Sequence, residues 1–156
     1  MPEAIIVDWY GPYHSKGELR EAAKDFGANT CVLYMAFRAR NVLNYVGMTE
    51  RPHSRFANHE KLAHPDNKTF YIGEIVTRGV GGRRRFKHRT DHKLAEHALI
   101  AHFDPSLNAK LNKRELADCC VVYSRFFSPE DGEEPADVLP KFPRMIGFNS
   151  WSVSWD

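Results

Sequence analysis

The chain has 156 residues, 42% of them hydrophobic, and a formal net charge of +2. That is the size of a single domain with decorated ends, able to bury a core without metal or disulfide staples. Its three cysteines (Cys31, Cys119, Cys120) have no C-x-x-C spacing and an odd count, no run approaches membrane-spanning length, and no basic stretch precedes the first apolar run. A disulfide framework, a membrane span and a secretory signal are therefore not expected, and a soluble, cytoplasmic protein is.

In chain order, EAIIVDW (3–9) reads as a short strand and YGPYHSKG (10–17) as a turn around Gly11-Pro12 and Gly17. ELREAAKDF (18–26) has helical composition, with Gly27 to end it. TCVLYMAFR (30–38) and NVLNYVGM (41–48) are two β-like runs joined as a hairpin. Pro52 suits a first helical turn after Thr49 as N-cap, so a helix is expected over RPHSRFANHEKLA (51–63). TFYIGEIVT (69–77) is the next strand, followed by the Gly-rich basic loop RGVGGRRRFKHR (78–89). TDHKLAEHALIAHF (90–103) is a second amphipathic helix, with Leu94, Ala95, Ala98, Leu99 and Phe103 toward the core and Pro105 closing it. DCCVVYSRFF (118–127) fits a strand or a buried helix, SPEDGEEPADVLPKFPR (128–144) an acidic connector, and NSWSVSWD (149–156) a half-buried strand or a docking arm.

Charge is segregated along the chain. Residues 51–93 hold eleven Lys/Arg against four Asp/Glu, and residues 115–139 seven Asp/Glu against one Arg. A basic middle suits a polyanion, although the two segments also suit mutual neutralisation within the fold.

Several side chains in the basic half carry possible chemistry. Arg55 and His59 are four apart, which a helix places on one face. Arg grips phosphate in bidentate fashion, and His donates to phosphate oxygens or passes protons. Tyr34 and Tyr45 sit on adjacent strands, where a phenol serves as a base only beside a cation or a second acceptor. Each of these also has an ordinary structural reading, as a solvated helix face or a good strand residue. Glu96 lies in an otherwise apolar helical stretch, and one carboxylate with waters and phosphate oxygens is a common Mg²⁺ shell. His88, His92 and Glu96 at successive fours offer a rival zinc arrangement without H-E-x-x-H or a cysteine.

Together these positions resemble the GIY-YIG nuclease family. Tyr45-Val46-Gly47 with Thr49 matches the second half of the name motif. Val32-Leu33-Tyr34 matches the first, with Val32 where the motif has glycine and Tyr34 eleven residues before Tyr45. Arg55, His59 and Glu96 fall at the family's intervals, and PSLN (105–108) matches its closing Pro-x-x-Asn at Asn108. The resemblance covers residues 30–112. It implies an α+β fold, a small antiparallel three-stranded sheet flanked by helices, with a strand-helix extension over 1–29, the nuclease core over 30–113 and a C-terminal extension over 114–156.

It also implies a metal-dependent endonuclease acting on DNA phosphodiesters, single-stranded or structured DNA among them, with Mg²⁺ or Mn²⁺ on Glu96. Arg55 would clamp the transition state and Tyr34, ahead of Tyr45, would serve as base. His59 would hold a phosphate oxygen or pass the proton, and Asn108 would brace the site. Tyr34's pKa is expected to be lowered by the metal and Arg55. Arg51, Arg83, Arg84, Arg85, Lys87 and Arg89 are the expected nucleic-acid contacts, DNA ahead of RNA, with Phe86 to stack on a base. A homodimer or protein partner is expected through the C-terminal segment. The competing readings are a catalytically idle nucleic-acid-binding module, a restriction-type site-specific endonuclease, and an interaction protein acting through its acidic connector and Trp-rich end.

Overall fold

A computed structural model of the chain describes residues 3–26, 31–76, 89–108, 120–133 and 142–148. Its elements run β1 (Glu3–Tyr13), α1 (Lys16–Ala23), β2 (Val32–Arg38), β3 (Val42–Thr49), α2 (Pro52–Asn58), β4 (Asn67–Ile75), α3 (Arg89–Phe103), β5 (Cys120–Phe127) and β6 (Met145–Phe148). The strands form one sheet in the order β3-β2-β4-β1-β5-β6. β1 and β5 run parallel and every other neighbouring pair is antiparallel.

The α+β class is as expected, but the sheet has six strands where three were expected. The antiparallel β3-β2-β4 trio is only half of it. Left alone, the trio would expose β4's second edge as a row of unpaired N–H and C=O groups. β1, with Ile5, Val7 and Trp9 alternating inward, occupies that edge, and β5 then occupies β1's. The segment 118–127, ambiguous in sequence, is strand from Cys120 on. Its inward positions Cys120, Val122, Ser124 and Phe126 alternate with more exposed ones. Buried Ser124 accepts a hydrogen bond from the Trp9 indole N–H at 3.1 Å, which ties β5 to β1.

The turn expected at Gly11-Pro12 is instead an irregularity inside β1, whose pairing with β4 shifts between Tyr10 and Tyr13. Gly11 permits it: its φ is 156°, and a Cβ there would meet the Tyr71 ring and the Phe70 carbonyl. α1 starts at Lys16, with Ser15 as its N-cap. Ser15 Oγ accepts from the Glu18 N–H at 3.0 Å, and Glu18 Oε2 accepts from the His14 N–H at 2.8 Å.

The sheet separates two apolar layers. On one face α1 and α2 bury Leu19, Ala23 and Phe56 against Val32, Tyr34, Ala36 and Ile72. Val32, in the place of the motif's glycine, is fully buried there. On the other face α3 packs Leu94, Ala95, Ala98 and Leu99 against Val7, Trp9, Leu33 and Met35. At roughly 1.5–3 kcal/mol for each large buried side chain, this packing rather than intrinsic propensity holds α3 in place. Among the described residues no helix is long and apolar enough to cross a membrane. Most of the basic loop (77–88), part of the acidic connector (134–141) and the Trp-rich end (149–156) lie outside the described residues.

Candidate active site at the edge of the sheet

β3 is an edge strand, and the candidate residues gather on and around it. Tyr34 and Tyr45 lie on the same face but are not cross-strand partners: Tyr34 is opposite Gly47, and Ala36 is opposite Tyr45. Their ring centroids are 5.9 Å apart. The diagonal placement depends on Gly47, where a Cβ would fall inside the Tyr34 ring. The glycine of Tyr45-Val46-Gly47 is thus the floor on which the first phenol lies.

α2 supplies the next two groups, and the local structure differs from expectation. The helix ends at Asn58, and His59 is its C-cap in an extended conformation, φ −87° and ψ 109°. Arg55 and His59 therefore do not share a helical face. The N-cap is Arg51 rather than Thr49, whose Oγ1 accepts from the Arg51 N–H at 3.0 Å. Phe56, buried edge-on to Tyr34 at 5.1 Å, anchors the helix and leaves Arg55 on its exposed shoulder.

Leaving the helix lets the His59 ring turn inward, 93% buried, edge-on to both tyrosines. Nδ1 accepts from the Lys61 backbone N–H at 3.2 Å, so the ring proton belongs on Nε2. Nε2 lies 3.2 Å from Tyr45 Oη and donates to it. Burial, with the charges of Arg55, Lys61 and Lys16, pushes the imidazole down to about 4, so it is neutral near pH 7.

The two phenols differ in what they have left to give. Tyr45 Oη accepts from His59 and keeps its own proton free to donate. Tyr34 Oη is the buried side-chain polar atom that, among the described residues, has no hydrogen-bond partner. The Arg55 guanidinium reaches Tyr34 first and then Tyr45, and hydrogen bonding toward Tyr34 is the main cause of its own raised pKa, but the contact is not aligned into a full hydrogen bond on Tyr34 Oη. Burial outweighs that cation and holds Tyr34 well above the ordinary phenol range. The lowered pKa expected from sequence is absent from the protein by itself. Burial raises Tyr45 too, with Tyr34 and Arg55 pulling it back and Glu96 adding to the rise.

Glu96 thus acts on Tyr45 from α3. Its carboxyl is pushed up to about 7 by burial, with Lys93 working against the shift. A half-buried carboxylate within electrostatic reach of Tyr45 could hold one cation completed by waters and phosphate oxygens. The rival zinc set is not assembled here: His92 is buried, His88 lies outside the described residues, and no three His, Cys, Asp or Glu side chains among the described residues are grouped to hold a metal ion.

Asn108 is spent on the strand. Its Oδ1 accepts from the Val46 N–H and its Nδ2 donates to the Val46 carbonyl, both at 2.8 Å. The Leu107 N–H donates to the Asn44 carbonyl at 3.1 Å. Residues 106–108 therefore cover the β3 edge as a short strand would, and Asn108 is a brace. Of the expected nucleic-acid contacts, Arg51 is exposed at the start of α2. Arg83, Arg84, Arg85 and Lys87 lie outside the described residues, as does the side chain of Arg89.

Sequence reasoning missed three contributors. Lys61 fixes the His59 tautomer, donates through Nζ to the Leu107 carbonyl at 3.0 Å and lies 5.5 Å from the Tyr45 ring centroid. Lys16 reaches the site electrostatically from α1, with no sequence signal to announce it. Asn44, next to Tyr45 and buried, showed only as a polar residue inside a strand. The chain matches no protein-family model, no curated protein and no solved structure.

Proposed function

We propose that this protein is a metal-dependent endonuclease that hydrolyses phosphodiester bonds in DNA. The observation that carries the reading is the buried Tyr34 hydroxyl left without a partner at a site that also presents Arg55, Tyr45 and the desolvated Glu96. A phosphodiester with an attacking water suits each of these groups. The order Tyr34, Tyr45, Arg55, His59, Glu96, Asn108, which resembles that of GIY-YIG nucleases, supports it, as does the antiparallel β3-β2-β4 arrangement beneath them.

The roles follow from the capacity of each side chain. Arg55, exposed at the mouth, neutralises and grips the phosphate oxygens where charge builds in the transition state. Tyr34 Oη orients the attacking water; to take the water's proton it would first have to lose its own to solvent, which Arg55 and a bound cation together would have to favour against burial. Tyr45, held as an acceptor by His59, donates its proton to a substrate oxygen. His59 keeps Tyr45 in that orientation and stays uncharged near neutral pH. Glu96 would hold a Mg²⁺ or Mn²⁺ ion, which when bound polarises the scissile phosphate and stabilises the leaving oxygen.

The test is incubation of wild type and Glu96→Ala with labelled single-stranded, duplex and branched DNA, in Mg²⁺, in Mn²⁺ and in EDTA. Metal-dependent cutting that disappears in the variant while binding persists is expected. Binding without cutting on every substrate would discard the enzyme in favour of an idle nucleic-acid-binding module.

A further inference from the structure

We propose that Asn44 is a positioning residue for Tyr45 and His59; the idea rests on the nuclease reading and adds to it a residue that touches neither substrate nor metal. Pairing between β2 and β3 shifts here, with Ala36 opposite Tyr45 and Phe37 opposite Leu43. Asn44 is therefore an extra residue, a β-bulge. The bulge decides which way Tyr45 points. Side chains alternate along a strand, so if residues 43–45 kept regular alternation, Tyr45 would share the face of Leu43, which packs in the α3-side core. The bulge instead turns Tyr45 to the opposite face, beside Tyr34 and His59.

The bulge is held by its own side chain, which is 97% buried. Asn44 Nδ2 donates to Asn67 Oδ1 at 2.7 Å, and Asn44 Oδ1 accepts from Ser106 Oγ at 2.7 Å. Asn67 Nδ2 in turn donates to the Lys61 carbonyl at 2.9 Å, in the turn whose N–H fixes His59. One amide therefore joins three segments: the strand carrying Tyr45, the turn carrying His59, and the loop carrying Asn108. Buried networks of this kind act as a unit, and loosening one member moves the rest.

This placement makes Asn44 responsible for the Tyr45–His59 hydrogen bond, and so for where the Tyr45 proton is aimed. An error of about 1 Å in such a group costs on the order of 100-fold in rate. In Asn44→Ala, kcat should fall roughly 10- to 100-fold on a labelled single-stranded oligonucleotide with Mg²⁺, while KM stays within about twofold. Ser106→Ala removes one bond of the three and should lower kcat roughly two- to fivefold. A second measurement needs no activity: ¹⁵N spectra of His59 should show the Nε2–H tautomer in wild type and a mixture of tautomers in both variants. If wild type cuts no DNA, the nuclease reading fails and the tautomer comparison alone decides the positioning role. If Asn44→Ala does not fold, Ser106→Ala decides it. Folded variants with wild-type kcat, or with an unchanged His59 tautomer, would overturn the proposal.

Discussion

Removing the Tyr34 hydroxyl should make this protein more stable and less active. Tyr34 is fully buried, and its Oη has no hydrogen-bond partner among the described residues. An unsatisfied buried hydroxyl costs about 1–3 kcal/mol relative to an apolar group of the same shape. The facing Arg55 guanidinium recovers part of that, so Tyr34→Phe should gain about 1 kcal/mol. In a chain of this length that is a rise in Tm of about 2–4 °C. Tyr45→Phe is the internal control, with its ring centroid 5.9 Å from that of Tyr34. It removes an acceptor that His59 Nε2 uses at 3.2 Å and strands a buried N–H, so it should lose about 1–2 kcal/mol. The assay is urea denaturation of both variants, with the m-values checked against wild type. Two isosteric Tyr→Phe changes on one face should thus shift the midpoint in opposite directions. A Tyr34→Phe midpoint lowered as far as that of Tyr45→Phe would mean that the Tyr34 hydroxyl is structural, and its role as the group reserved for substrate would fall.

Two further outcomes follow from the same geometry. His59 titrates near 6.5 in an unfolded chain and near 4 here, so the unfolded state binds the proton first as the pH falls. Its contribution is intact above about pH 6.5 and lost as the pH drops through about 4; His59→Gln, which keeps a donor for Tyr45 but cannot titrate, should remove about 1–2 kcal/mol of that acid-side slope after discounting for solvent screening, read from thermal melts between pH 4 and 7. Asn108→Ala leaves the N–H and carbonyl of Val46 without their 2.8 Å partners on an edge strand, and should lower stability by about 2–4 kcal/mol in urea unfolding.

What could be read from sequence was whatever depends on local pattern. The β2-β3 hairpin, β4 and α3 follow from runs of apolar residues at strand or helix period, and the structure has all four. What could not be read were features fixed by partners distant in sequence. β1 was visible as a strand, but its insertion between β4 and β5 depends on pairings such as Val7 with Ile75 and with Ser124. The helix expected over 51–63 stops at Asn58, and His59, extended as its C-cap, packs edge-on against Tyr34 and Tyr45, a contact no local pattern announces. The Asn44 bulge is invisible to a period-two reading, since one extra residue changes the face of everything after it without changing composition. The raised pKa of Tyr34 in the metal-free protein was hidden for the same reason: the depth of its burial could not be read from spacing.

The candidate site is also where the sequence departs from the rules that the rest of the fold keeps. Among the described residues the other buried side-chain polar atoms find partners, as the Trp9 indole does on Ser124. Around β3 there is a bulge, a phenol with no partner, a carboxylate whose affinity for its proton reaches about 7, and an imidazole kept neutral among cations. Each departure lowers stability, and packing alone requires none of them. Sequences that otherwise agree at every level concentrate such conflicts where something other than the fold has to be satisfied. Under the proposed function, a phosphodiester with an attacking water and a divalent cation would relieve these conflicts at once. It would give Tyr34 Oη a partner, Arg55 an anion and Glu96 a counter-charge. On that proposal, the stability given up at this site in the free protein would be recovered on binding one kind of ligand.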